Sequence, residues 1–170
     1  MHSNCDADTI HTPGEGLRTS CRCGETLDYP RNEGYMGING TIQRKLEFIA
    51  ENMNRLENLK PTSVSTLEED FFLKSGIERT LQISIEAMID VANRILAIEQ
   101  QPPASNSYES LKRLQQLGYI QDAEVYRDMV RFRNLIVHRY ENIGNGILVG
   151  ILRRKLHLFR DFIGEIEDNV

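Results

Sequence analysis

Leu81-Gln82-Ile83-Ser84-Ile85-Glu86-Ala87-Met88-Ile89-Asp90-Val91-Ala92-Asn93-Arg94-Ile95 is the stretch on which the fold class turns. With Ile77 before it and Leu96 after it, its inward set is Ile77, Leu81, Ile85, Met88, Ile89, Ala92, Ile95 and Leu96. The spacing is that of one helix face, and no period of two runs through it. It predicts a helix reaching back to Thr66 and forward to about Gln100. Thr66-Leu67-Glu68-Glu69 reads as a capping box, Thr66 at the N-cap and Glu69 three residues on. Gly76 weakens this helix by about 1 kcal/mol against Ala. Pro102-Pro103 ends it.

The same period extends both ways. Ile42, Leu46, Ile49, Met53, Leu56 and Leu59 predict a helix that begins near Ile38 and stops at Pro61. Downstream comes a short helix from about Tyr108 to Leu117, with Gly118 as its left-handed terminator. Asp122 then caps a third long helix, Ala123 to about Tyr140, with Val125, Met129, Phe132 and Ile136 inward. Asn142, Gly144, Asn145 and Gly146 make a turn. A last helix, Ile147 to about Ile166, buries Ile151, Leu152, Leu156, Phe159 and Ile163. No strand is read anywhere. The expectation is an all-α chain: an antiparallel four-helix bundle over 38–170 with one short extra helix. Residues 1–37 have isolated apolar positions and many turn formers, and read as a flexible, disordered N-terminal extension.

Length and composition agree with one helical domain. The chain has 170 residues, 40% of them apolar and 26% charged, which excludes wholesale disorder. No run of 18 apolar residues exists, so no membrane span is expected. Cys5, Cys21 and Cys23 are an odd set confined to the start of the chain. Together with an N-terminus lacking a basic, apolar leader, they predict a cytoplasmic protein. Cys21-Arg22-Cys23 lacks the two- to four-residue gap of structural zinc sites, so no metal site is expected. Net charge is −5, but residues 111–160 carry ten bases and four acids. Attraction for a polyanion would act there.

The chemistry-bearing residues gather in that basic segment. There is no phosphate-binding Gly-rich loop, no dinucleotide fingerprint and no Glu-x-x-His pair of a di-metal bundle. What remains is Arg127-Asp128-Met129-Val130-Arg131-Phe132-Arg133-Asn134-Leu135-Ile136-Val137-His138-Arg139-Tyr140. On a helix, Arg131, Asn134 and His138 share one stripe, and Arg133, Val137 and Tyr140 another. Arg133 and His138 stand about 140° apart round the axis. Either the Arg133 side chain curls back, or two copies of the helix pool their groups across a two-fold axis. A histidine titrates near neutral pH, and a guanidinium fork matches a phosphate. The set suits cleavage of an RNA phosphodiester by its own 2′-hydroxyl. A solvated basic face ending in a histidine that favours the helix C-terminus explains the same residues without catalysis. Asp90 and Asn93 interrupt apolar spacing on the second helix, and either face the same cleft or serve structural hydrogen bonds.

Phe132-Arg133-Asn134-Leu135-Ile136-Val137-His138-Arg139-Tyr140 resembles the Arg-x4-His-x-Tyr signature of the HEPN superfamily, in its HepT-like toxin branch. Residues 42–49, 81–95, 108–110 and 117–120 follow in the order of that family, and the resemblance covers about residues 38–168. It implies an endoribonuclease toxin of a type VII toxin–antitoxin module, acting as a homodimer. By position, Arg133 and His138 would be catalytic, with Asn134 the polar residue beside the arginine; helical spacing adds Arg131, aligned with His138, and Asp90 as further supporting polar groups. The implied partner, besides RNA, is an MntA-like nucleotidyltransferase antitoxin that uses ATP and magnesium to add AMP to the motif tyrosine, here Tyr140. No cofactor of the chain's own is implied. The competing expectation is a non-catalytic HEPN helical module that binds a nucleotidyltransferase or nucleic acid.

Overall fold

The computed structural model describes residues 9–10, 18–20, 26–27, 33–59, 62–138 and 143–170, with side chains over 40–59, 62–137 and 143–170. The chain divides into two units, Met1–Gly37 and Ile38–Val170. In the first, strands β1 (Thr9–Ile10), β2 (Arg18–Ser20) and β3 (Thr26–Leu27) pair antiparallel, with Thr19 opposite both Thr9 and Leu27. The sequence reading has no strand here, because two or three residues cannot display an alternation. The expected disorder of residues 1–37 falls mostly on positions outside the described residues.

From residue 33 onward the described elements are helical, as the apolar periods require. They form α1 (Glu33–Glu57), α2 (Val64–Glu69), α3 (Phe71–Ile98), α4 (Ser107–Leu117), α5 (Arg127–His138), α6 (Asn145–Arg154) and α7 (His157–Glu167). A 3₁₀ turn, Ala123–Tyr126, leads into α5. The core is built from the predicted stripes: Ile42, Leu46, Ile49 and Met53 of α1 meet Ile77, Leu81, Ile85 and Met88 of α3, all nearly inaccessible. Truncating one of them, such as Leu81, leaves a cavity worth about 2–5 kcal/mol. α1 runs against α3: Lys45 pairs with Asp90, and Asn52, seven residues later, donates to the Ser84 hydroxyl at 3.2 Å. That buried amide–hydroxyl contact satisfies groups that would otherwise cost stability, and it fixes the register. α7 closes the bundle through Arg160, which binds Glu57 and Asn54 of α1.

Four local expectations change. Thr66 is not an N-cap: it lies inside α2, whose cap is Ser63, accepting from Thr66 N at 3.1 Å. Asp70 caps α3 instead, accepting from Leu73 N at 2.8 Å. An aspartate capping the next helix splits what the stripe reads as one segment. The third long helix opens with the 3₁₀ turn, which winds more tightly than an α-turn. Tyr126 therefore turns inward, 1% exposed, and Val125 outward. The last helix is broken after Arg154. Backbone bonds from Leu158 N to Lys155 O and from Phe159 N to Leu156 O tighten that turn. The buried set becomes Leu148, Val149, Leu156, Leu158, Phe159, Phe162, Ile163 and Ile166, with Ile151 and Leu152 only partly covered. Gly118 does terminate α4, at φ +85°. The remaining change is at the start of α1, whose backbone is helical from Glu33 rather than Ile38.

Candidate active site

α5 carries the basic motif, and packing sets its rotation. Asp122 holds the preceding turn by accepting from Glu124 N at 2.9 Å. Ala123 and Tyr126 are buried there, and Met129, Val130 and Phe132 of α5 continue the buried side. The Tyr126 hydroxyl donates to Glu165 Oε2 of α7 at 2.7 Å, and burial together with that carboxylate pushes its pKa up. With those anchors in place, Arg131 and Asn134 face solvent and Arg133 lies on the flank towards α3.

Arg133 is the best-held group of the motif. Its side chain is 27% exposed, and its Nε lies 3.3 Å from Glu86 Oε1 of α3. The distance is that of an ion pair, but the N–H is not aimed at the carboxylate, so Nε makes no hydrogen bond. The Nη1 donates to Asn134 Oδ1 at 3.3 Å. Glu86 also accepts from Gln82 Nε2 at 3.0 Å, one turn back on α3. The guanidinium is thus oriented by a carboxylate and an amide while keeping N–H donors for an anion.

The other expected residues are placed differently. Arg131 pairs loosely with Asp128 of its own helix, at 3.6 Å. Asp90 is exposed and binds Lys45 Nζ of α1 at 2.7 Å. Asn93 accepts from the Ser110 hydroxyl of α4 at 2.7 Å, a structural contact. The structure therefore joins Arg133 with Asn134 and leaves Arg131 and Asp90 in ion pairs of their own. His138 ends α5 as a backbone position; its side chain, and Tyr140 altogether, lie outside the described residues. α5 is regular from Arg127 to His138, so the angular separation of Arg133 and His138 read from the sequence holds.

Glu86 is the residue that sequence reasoning missed. The signal was present: Gln82, Glu86, Asp90 and Asn93 step by four, four and three along one face of α3. Only the pairing across to α5 singles out Glu86.

The model of the Ribonuclease HepT-like family matches residues 41–166, the helical unit almost end to end. The mRNA nuclease HepT of Shewanella oneidensis is 29% identical over 132 residues, covering 76% of this chain and 98% of its own length. The tri-AMPylated Shewanella oneidensis HEPN toxin, solved in complex with MNT antitoxin, superposes with a TM-score of 0.69 at 28% identity, over 76% of this chain and 98% of that one. A toxin–antitoxin crystal structure with AMP-PNP gives 0.64 at 28% identity, over 75% and 96%. A family match across three-quarters of the chain, with the Arg133–His138 helix inside it, means that this chain belongs to the HepT-like ribonuclease family.

Proposed function

We propose that the chain is the endoribonuclease toxin of a toxin–antitoxin module. The observation that carries the reading is Arg133, held between Glu86 and Asn134 with donors to spare, on the helix that His138 ends. The reaction needs few parts. The 2′-hydroxyl of the RNA attacks the adjacent phosphorus, and the bond from phosphorus to the 5′ oxygen breaks. A 2′,3′-cyclic phosphate and a free 5′-hydroxyl result. One proton leaves the 2′ oxygen and one arrives at the 5′ oxygen, and the His138 imidazole is the group suited to move it at neutral pH. Arg133 stabilises the charge that grows on the phosphoryl oxygens. No metal is needed, because the nucleophile belongs to the substrate.

Two copies of α5 meeting across a two-fold axis would set the Arg133 of one beside the His138 of the other. Val137 of α5 and Ile147 of α6 are exposed in one copy and would be available to such a contact. Control of the toxin follows from Tyr140. A nucleotidyltransferase antitoxin adds AMP from ATP to its hydroxyl with release of pyrophosphate, using magnesium. The group brings bulk and negative charge two residues from His138, where an RNA phosphate has to bind.

The test is a cleavage assay of the purified chain on total RNA with a chelator present. Wild-type protein should yield fragments with cyclic phosphate ends, and His138→Ala should yield none while keeping its helical circular dichroism. An equally active His138→Ala protein would remove the catalytic assignment. Binding of an MNT-type partner without any cleavage by wild type would favour the non-catalytic module.

A further inference from the structure

We propose that the depression between α1 and α3 is a subsite for one nucleotide of a single-stranded RNA, next to the linkage held at Arg133. The proposal rests on the ribonuclease reading for the identity of that linkage. Asp90 follows Glu86 by four residues, so the two carboxylates stand one turn apart on the same face of α3. Each carries a cation from a different helix: Glu86 holds Arg133 of α5, and Asp90 holds Lys45 of α1. The second pair opens into a depression of about 390 Å³. Its wall includes Phe48 of α1, 39% exposed, and its floor includes Ile83 and Ala87 of α3. Arg44, whose guanidinium reaches Thr41 Oγ1, lies on its rim.

This combination is what a nucleotide of a single strand requires. A phosphate needs a cation, and a base needs an exposed aromatic face. Here two cations stand against one carboxylate in a chain of net charge −5. Lys45 is in reversible contact with Asp90 on a half-exposed surface, so an incoming phosphate can take its place. At about 390 Å³ the depression falls within the range of small-ligand sites, about 300–1,000 Å³. Because α1 and α3 are locked together by their buried stripes and the Asn52–Ser84 bond, the subsite keeps its place relative to Glu86 and Arg133.

Fluorescence anisotropy of a 5′-labelled ten-nucleotide uridine strand tests this, using the full chain carrying His138→Ala so that the strand stays whole. Phe48→Ala should weaken binding about tenfold, and Phe48→Tyr should keep it. Lys45→Ala should weaken it and flatten the salt dependence by about 0.7 in logarithmic slope, as expected for one lost phosphate contact on a single strand. Asp90→Asn, which releases Lys45, should tighten it. Unchanged affinity in both Phe48→Ala and Lys45→Ala overturns the subsite, as does failure of the strand to bind at all. So does a Phe48→Ala protein that binds RNA normally but loses an MNT-type partner. Cleavage by the chain with His138 intact judges the ribonuclease reading separately. Binding through Phe48 and Lys45 without any cleavage leaves the subsite standing and removes that reading. Cleavage at an unchanged KM in both variants does the reverse.

Discussion

Arg133 is positioned but not saturated. Glu86 supplies charge at 3.3 Å without a hydrogen bond from Nε, and Asn134 takes one of the remaining N–H groups. A guanidinium in that state can turn its planar fork to a phosphate, and a lysine offers no such fork. Arg133→Ala should therefore lower kcat by roughly 10²–10³, the usual scale for losing one preorganised donor to a developing charge, and Arg133→Lys should not restore it. Single-turnover cleavage of a labelled RNA measures both, and full activity in the lysine variant would mean that only charge matters. Tyr140 belongs to this scale too. Tyr140→Phe should stay toxic in cells yet resist the nucleotidyltransferase, since no hydroxyl remains to accept AMP. Neutralisation of that variant together with labelling elsewhere would move the modification site. Arg133 and Asn134 were legible because they are consecutive polar residues in the basic segment, off the apolar stripe of α5. Glu86 was not, because Asp90 and Asn93 share its face and only the approach of α5 separates them.

Helices were legible where apolar stripes are long, and their ends were legible where one residue type dominates the choice. The positions read as inward on α1 and α3 are the observed core, apart from Leu59, which lies past the end of α1 and is only partly buried, and Gly118 ends α4 in the left-handed conformation that a side chain would strain. Caps among clustered Ser, Thr and Asp were not legible: Ser63, Ser65, Thr66 and Asp70 are all competent, and geometry selects Ser63 and Asp70. Asp70→Ala should cost about 1 kcal/mol in chemical denaturation, the usual worth of an N-cap. Thr66→Ala should cost less, because its backbone N–H keeps Ser63. An equal loss in both would return the cap to Thr66. α4 has its own pH signature. Hydrogen bonds from the Ser105 hydroxyl and backbone, then from Arg113, pull the Glu109 carboxyl down to about 2. A depressed folded-state value stabilises above the unfolded carboxyl range, and that contribution disappears as pH falls from about 5 towards 2. The melting temperature should drop across that window, and by less in Glu109→Gln; identical pH profiles would exclude Glu109 as a contributor.

At the scale of the whole molecule, one bundle does not by itself explain how Arg133 and His138, in the roles we propose for them, would act on the same phosphate. The helix that carries them is regular to its end, so the two backbone positions stand about 140° apart round its axis. A reach by the flexible arginine within one copy and a meeting of two copies both solve this, and they differ in genetics. Suppose each site joins Arg133 of one protomer to His138 of the other. A dimer of one Arg133→Ala chain and one His138→Ala chain then has one site with both residues altered and one with both intact. Random reassociation of the two inactive proteins gives such mixed dimers for about half of the molecules, each with one working site of two, and so about a quarter of wild-type activity. If each site is complete within a single chain, every site in every mixture lacks one residue and no activity returns. Co-refolding the two variants at equal concentration, followed by the cleavage assay, separates the cases. Recovery near a quarter places the site at the two-fold axis. Zero recovery from a mixture shown to contain mixed dimers would place it inside one copy, with Arg133 bent towards His138.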